Sequence, residues 1–341
     1  VPTRAGLLRR ARQAALGRRK WCGLILMYHR VADVEHDPWD LCVSPEHFKA
    51  HMAELAELGT CVTVGELLPA IHNGDGSPVF AVSFDDGYAD NYTAGLPTME
   101  KFGIPGTFFV VSDAIGAEGE FWWDALARVA FRAAPLPARL ELIVRGSPWA
   151  WDLGPAIDYP DPERMADIRW RADEAPPPGP RSKFYLMLWE LLFEQESKER
   201  DRLASEILAW AETEPRARPD HAILDEEQFA ALAAGPRIEI GAHTRNHPAL
   251  TALPEDQRRD EMAGGRDRLE SRLGRRVKTF SYPYGRKSAE TRALAAETGF
   301  TAVCTSRSGA ITPETDPLDM PRLQVKNWDS AQFRRKVESY F

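Results

Sequence analysis

Six short, mainly apolar runs, at 24–28, 79–84, 107–111, 238–241, 277–280 and 301–304, recur along this chain with helical patterns between several of them. Such a run suits a strand buried on both faces, which is the strand of a parallel sheet with helices packed over it. The stretch 79–111 is the clearest case. It reads as a strand, a helix around 96–102 closed by Gly103, and a second strand, so the crossover is right-handed between parallel neighbours. Ser44 before Pro45 marks the start of an earlier helix, whose apolar positions Phe48, Met52, Leu55 and Leu58 share a face and which Gly59 ends. Later come a helix near 225–234, a charged helix over about 254–273 and another over 289–298. Alternation of this regularity predicts an α/β barrel or doubly wound sheet.

The rhythm breaks between about 113 and 221. This stretch predicts a hairpin near 140–153, a Pro-rich joint at 175–180 and two helices near 182–196 and 198–212. Seven of the ten tryptophans fall inside it. Aromatic faces suit sugar C–H surfaces, and they equally suit a core. The expected organisation is therefore a basic arm at 1–21, one α/β domain from 22–112 with 222–341, and a mainly helical insertion at 113–221. The insertion is expected to act as a substrate-recognition cap.

The chain of 341 residues has a formal net charge of -8, which argues against a general nucleic-acid binder. The charge is unevenly placed: residues 1–32 carry eight basic side chains and no acidic one. A basic amphipathic helix there would rest on an anionic membrane surface through residues 1–20; a solvated arm would have the same composition. Cys22, Cys42, Cys61 and Cys304 lie far apart with no CxxC pair, so neither a thiolate zinc site nor a disulfide framework is expected. No apolar run approaches the ~18 residues of a membrane span, and no secretory apolar core is seen. The expected location is cytoplasmic, with the arm at the inner membrane face.

Reactive groups in parallel α/β folds gather at the carboxyl ends of strands. Asp85 and Asp86 follow the run 79–84, and one can bind a cation while the other handles a proton. Alone, such a pair can equally cap a helix. His243 and His247 follow the run 238–241. Two histidines four apart can share a metal if the turn between them is helical, and Pro248 limits it to a single turn. Two imidazoles with one carboxylate leave positions open, which is a catalytic rather than a structural metal pattern.

The strings SFDDGYADNY at 83–92, HTRNHP at 243–248 and FSYPYG at 280–285, supported by LMYHRV at 26–31 and MPRLQV at 320–325, resemble the polysaccharide deacetylases of the NodB-homology type, carbohydrate esterase family four. The resemblance implies a distorted, incomplete (β/α) barrel that hydrolyses an N-acetyl group from an amino sugar in a polysaccharide, oligosaccharide or glycan precursor. It implies one divalent ion on Asp86, His243 and His247, zinc first, with cobalt, nickel and iron also suited to these ligands. Asp85 would be the general base, and the backbone N–H of Tyr284 would hold the oxyanion. The commonest pattern places the acid histidine late, yet no histidine follows His247. A branch with an early Tyr-His motif matches Tyr28-His29, which makes His29 the expected acid. The arginine that usually opens the third motif is replaced by Ser281, and Arg322 is the expected substitute, paired with Asp85. A deformylase, an O-acetyl esterase or a non-catalytic glycan-binding protein would share these strings. A phosphoesterase would want a second metal.

Overall fold

The computed structural model describes residues 23–341, so the basic arm expected at 1–21 lies outside the described residues. Among the described residues twelve strands are formed: β1 (Gly23–Tyr28), β2 (Arg30–Val31), β3 (Cys42–Val43), β4 (Thr60–Val62), β5 (Val79–Phe84), β6 (Gly106–Val110), β7 (Arg139–Val144), β8 (Ser147–Asp152), β9 (Ile238–Ala242), β10 (Thr279–Ser281), β11 (Ala302–Cys304) and β12 (Leu323–Gln324). The main sheet runs β11-β10-β9-β6-β5-β1-β12, with β4 docked on the first half of β5, and its pairings are parallel. The sheet curls into an incomplete barrel. A single parallel bridge between Cys304 and Met320 spans the seam between β11 and the segment leading into β12.

The two-residue period of the strands sorts their side chains into two cores. Leu24, Leu26, Tyr28, Phe80, Val82, Phe84, Phe108 and Val110 face outward under the helices. Ile25, Val79, Ala81, Phe109 and Cys304 face inward. The interior is narrow, so its positions are mostly small. A Cβ on Gly241 would stand 2.4 Å from the Phe109 ring, which is why that inward position of β9 has no side chain. The helix Val64–Asn73 plugs the amino-terminal end of the barrel with Val64, Leu67 and Ile71. Its first turn is tied to the interior by Val64 N–H on Thr107 Oγ1 (2.8 Å) and Gly65 N–H on Glu239 Oε2 (3.1 Å). With that end closed, the barrel opens at the carboxyl ends of the strands.

A second apolar core lies beyond β6. It is built from Phe121, Trp122, Trp123 and Leu126 of the helix region Trp122–Ala130, the helices Pro180–Phe193 and Ser197–Trp210, and the antiparallel hairpin β7–β8. Tyr88, Val111 and Ile223 from the barrel join it. The helix expected over 254–273 is not continuous. It runs Glu255–Arg259, loosens into a π-helical stretch at Asp260–Gly264, and resumes at Gly265–Leu273. The π turn rotates Glu261 inward, where it has a task described below. β4, β12, the plug helix and the helix Ser330–Glu338 carried no sequence expectation; the two strands are too short for a period to show.

His51, on the helix Pro45–Leu58, is fully buried and stacks on Phe333 at 4.1 Å. Its Nε2–H donates to Trp328 O (2.7 Å), which leaves Nδ1 to accept from Tyr28 Oη (3.2 Å). Burial pushes this imidazole from 6.5 down to about 4. Between those values the unfolded chain binds the extra proton, so stability falls as the pH drops through that window. Denaturant titrations at a series of pH values should show His51→Gln to have the shallower slope there, by up to about 1.4 kcal/mol per pH unit. Equal slopes would mean that His51 is not held neutral.

Candidate metal centre and catalytic site

Three loops at the carboxyl ends of β5, β9 and β10 meet at one point. Asp85 and Asp86 leave β5, His243 leaves β9, and Tyr284 lies in the short turn Pro283–Gly285 after β10. Asp86, His243 and His247 are buried, and one ligand atom from each lies within 4.8 Å of the others. Asp86 Oδ1 stands 3.5 Å from His243 Nε2 and 3.4 Å from His247 Nε2. His243 Nδ1–H donates to the Ser281 carbonyl at 2.8 Å, so its Nε2 presents a lone pair to Asp86. Burial pushes His247 down to about 3, the neutral form that a metal ligand requires. The donor set, two neutral-capable imidazole nitrogens and one carboxylate oxygen aimed at a common point, fits a divalent cation of the zinc class.

The backbone at this point is unusual. Asp86 (φ 75°), Thr244 (φ 65°), His247 (φ 56°) and Tyr284 (φ 57°) are left-handed without being glycine. The turn from His243 to His247 is therefore not the single helical turn expected from the four-residue spacing. Two left-handed residues fold the chain back on itself, and His247 N–H donates to Thr244 Oγ1 at 3.0 Å to close the loop. Glu261 then accepts from the N–H groups of Arg245 and Asn246 and from Asn246 Nδ2, each at 2.9 Å. Gly265 permits this approach, because a Cβ there would lie 2.9 Å from the Thr244 carbonyl carbon. Neither Glu261 nor Gly265 was legible as a site residue, since each supports a loop far from it in sequence.

Asp85 is paired with Arg322 through two bonds, Nη1 to Oδ1 at 2.7 Å and Nη2 to Oδ2 at 2.6 Å. Arg322 is 1% exposed and also donates to Ser281 Oγ (2.8 Å), Ser83 Oγ (3.3 Å) and Thr305 O (3.0 Å). Burial by itself would raise the Asp85 carboxyl. The guanidinium against it, with His243 beside it, outweighs burial and holds it well below the usual carboxylate range. Ser281 occupies the position where an arginine was expected by family pattern, and its hydroxyl also reaches Asp85 Oδ2 at 3.2 Å. Arg322 thus supplies the charge from across the barrel.

Asp85, Asp86, His243, His247 and Arg322 line a cavity of about 320 Å³. His29, half-buried just beyond β1, faces it, and so do Trp39, Trp123, Trp189, Phe193 and Tyr284. The Tyr284 ring packs edge-on against His247 at 4.6 Å, and Trp123 lies 4.9 Å from His247 on another side. In the first turn after β10, the Tyr284 N–H has no intrahelical acceptor. Tyr282 also borders the cavity, but it is 1% exposed and packs on Phe280. Trp39 and Phe193 carried no motif, and only the folded chain brings them to the cavity.

Removing Arg322 would leave Asp85 charged, buried and unpaired. Arg322→Met should therefore cost about 3–5 kcal/mol in chemical denaturation. The double variant Asp85→Asn with Arg322→Met should lose clearly less than the sum of the two single changes, because they act on one interaction. Additive losses would show that the two side chains do not depend on each other.

A family profile described as polysaccharide deacetylase matches residues 72–135 and 208–303 and leaves 136–207 unmatched. A Bacillus subtilis (strain 168) protein named as polysaccharide deacetylase YxkH is 32% identical over 95 residues, 27% of this chain and 33% of that protein, so the match spans about a third of that relative's length. Among solved structures, the Streptococcus pyogenes deacetylase PplD in complex with acetate superposes with a TM-score of 0.57 at 15% identity, covering 95% of this chain and 100% of that one. IcaB from Ammonifex degensii gives 0.56 at 17% identity, covering 94% and 97%. The polysaccharide deacetylase BC0361 from Bacillus cereus gives 0.57 at 15% identity, covering 93% and 69%. At these identities the superpositions speak to the fold, an α/β incomplete barrel. Profile, sequence relative and fold agree in likening this chain to the polysaccharide deacetylases of the NodB-homology type.

Proposed function

We propose that this protein is a metal-dependent N-deacetylase of an amino sugar within a glycan or glycan precursor. The observation that carries this reading is the convergence of Asp86 Oδ1 with the Nε2 atoms of His243 and His247, beside an Asp85 held by Arg322, at the floor of an aromatic-walled cavity. A divalent cation held by those three side chains would acidify a water molecule and polarise the scissile carbonyl.

The protein groups divide the remaining work. Asp85, kept ionised and fixed in one rotamer by Arg322, accepts the proton of the attacking water through a lone pair that the guanidinium does not use. The Tyr284 N–H, with no intrahelical partner, is assigned to stabilise the developing oxyanion. The leaving amine needs a proton, because expulsion of an amide anion is prohibitive. His29 is assigned that step: it faces the cavity and its imidazole makes no hydrogen bond among the described residues. This assignment follows the branch with an early Tyr-His motif. Trp39, Trp123 and Trp189 offer flat apolar faces for the sugar ring, and 113–221 acts in this reading as the cap that selects the glycan.

No described helix is long and apolar enough to cross a membrane. The basic arm at 1–20 supports peripheral contact with an anionic membrane surface at the cytoplasmic face, and with it a lipid-linked precursor as substrate.

The test is acetate release from N-acetylglucosamine oligomers by the purified chain. Chelation should abolish it and zinc should restore it. Asp85→Asn should lower kcat by at least 100-fold, in line with loss of a general base. His29→Gln should depress amide hydrolysis far more than hydrolysis of an activated acetyl ester, whose leaving group needs no proton. Full activity after stringent chelation, or an Asp85→Asn variant as active as the wild type, would remove the proposal.

A further inference from the structure

Arg200 belongs to the segment 136–207 that the family profile does not match, yet it reaches the loop that carries His247. It lies on the helix Ser197–Trp210 and is 5% exposed. Its Nη2–H donates to the Asn246 carbonyl at 2.9 Å and its Nη1–H to the His247 carbonyl at 3.4 Å. Its Nε contacts Asp201 at 3.2 Å, and its guanidinium carbon sits 5.8 Å from the Trp122 ring centre. On the opposite side of the same loop, Glu261 accepts the N–H groups of Arg245 and Asn246. A carboxylate thus takes two donors of this loop while a guanidinium takes two of its acceptors. Between them the left-handed His247 (φ 56°) is held with Nε2 directed at Asp86.

We propose that Arg200 is a positioning residue for the metal centre, and that the segment outside the family pattern thereby completes a site whose ligands all lie within the shared frame. The inference rests on the metal reading given above. Without Arg200, the Asn246 carbonyl loses its donor and the His247 carbonyl keeps only the Tyr284 hydroxyl at 3.5 Å, so the strained turn can relax toward ordinary backbone angles, which swings the His247 ring away from Asp86. Helix packing alone does not require this. A residue that only filled space between the helix and the barrel would have no reason to fork onto two consecutive carbonyls of a ligand loop. Such outer partners commonly govern metal affinity through the orientation of the ligand.

The experiment uses the full chain. Zinc affinity is measured by competition with a chromogenic chelator for the wild type, Arg200→Met, Arg200→Gln, Arg200→Lys and His247→Ala, with circular dichroism as the check on folding. Arg200→Met should bind zinc roughly 10- to 100-fold more weakly. The visible spectrum of its cobalt-loaded form should change, and Arg200→Lys should lie between it and the wild type. A folded Arg200→Met with wild-type zinc affinity and an unchanged cobalt spectrum overturns the inference. If Arg200→Met does not fold, Arg200→Gln decides on the same two readouts. A wild type that binds no zinc brings down the metal reading and this inference with it, whereas wild-type affinity in the Arg200 variants beside its loss in His247→Ala removes only the role of Arg200.

Discussion

One buried guanidinium sets the geometry of the site. Arg322 uses all five of its N–H donors: two on Asp85, one each on Ser83 and Ser281, and one on the Thr305 carbonyl. Those partners belong to the end of β5, the end of β10, the chain just past β11 and, through Arg322 itself, the entry to β12. The two arms of the chain thus come into register around one planar cation. Burying such a charge costs several kcal/mol, and the attraction of Asp85 does little more than offset that. What the pair contributes is selection. Only one arrangement of the strand ends satisfies every donor, and in it Asp85 is ionised beside the three side chains of the candidate metal centre.

Around that anchor the chain accepts local strain. Four non-glycine residues in the left-handed region, Asp86, Thr244, His247 and Tyr284, each cost of order 1–3 kcal/mol. They persist because the surroundings over-determine them. The Asp86 carbonyl accepts from Val111 N–H just past the end of β6, Thr244 closes its own loop, and Glu261 and Arg200 hold the loop from either side. The same loosening of the ladder that breaks the helix at Asp260–Gly264 aims Glu261 at its target. A π-helical stretch at such a place is a structural device rather than a defect.

Much of this was legible in the chain itself. The apolar runs named five of the main strands closely, because a strand buried on both faces has no polar alternation to obscure it. The candidate site residues could be read because they sit in contiguous strings at strand ends, where a parallel sheet must display its loops. The helical turn expected between His243 and His247 was an error of conformation, not of destination. Spacing by four reports that two side chains can meet, and a left-handed loop brings them together as well as a helix does. The unbroken helix over 254–273 failed for a related reason. Its charge pattern is helical throughout, and nothing in it reports that Glu261 is needed elsewhere.

Sequence alone therefore determined the α/β class and, through the resemblance of its motifs, the incomplete barrel and the carboxylates and imidazoles proposed to carry the chemistry, because each of these is encoded within short contiguous segments. Tertiary structure decided what holds them. Arg322 lies 237 positions from Asp85, Glu261 lies 15 from Asn246 across a break in its helix, and Arg200 lies 46 from the carbonyl it grips. Such pairings arise only when the sheet has curled and the inserted helices have packed, since a hydrogen bond depends on distance in space and leaves no period or motif along the chain.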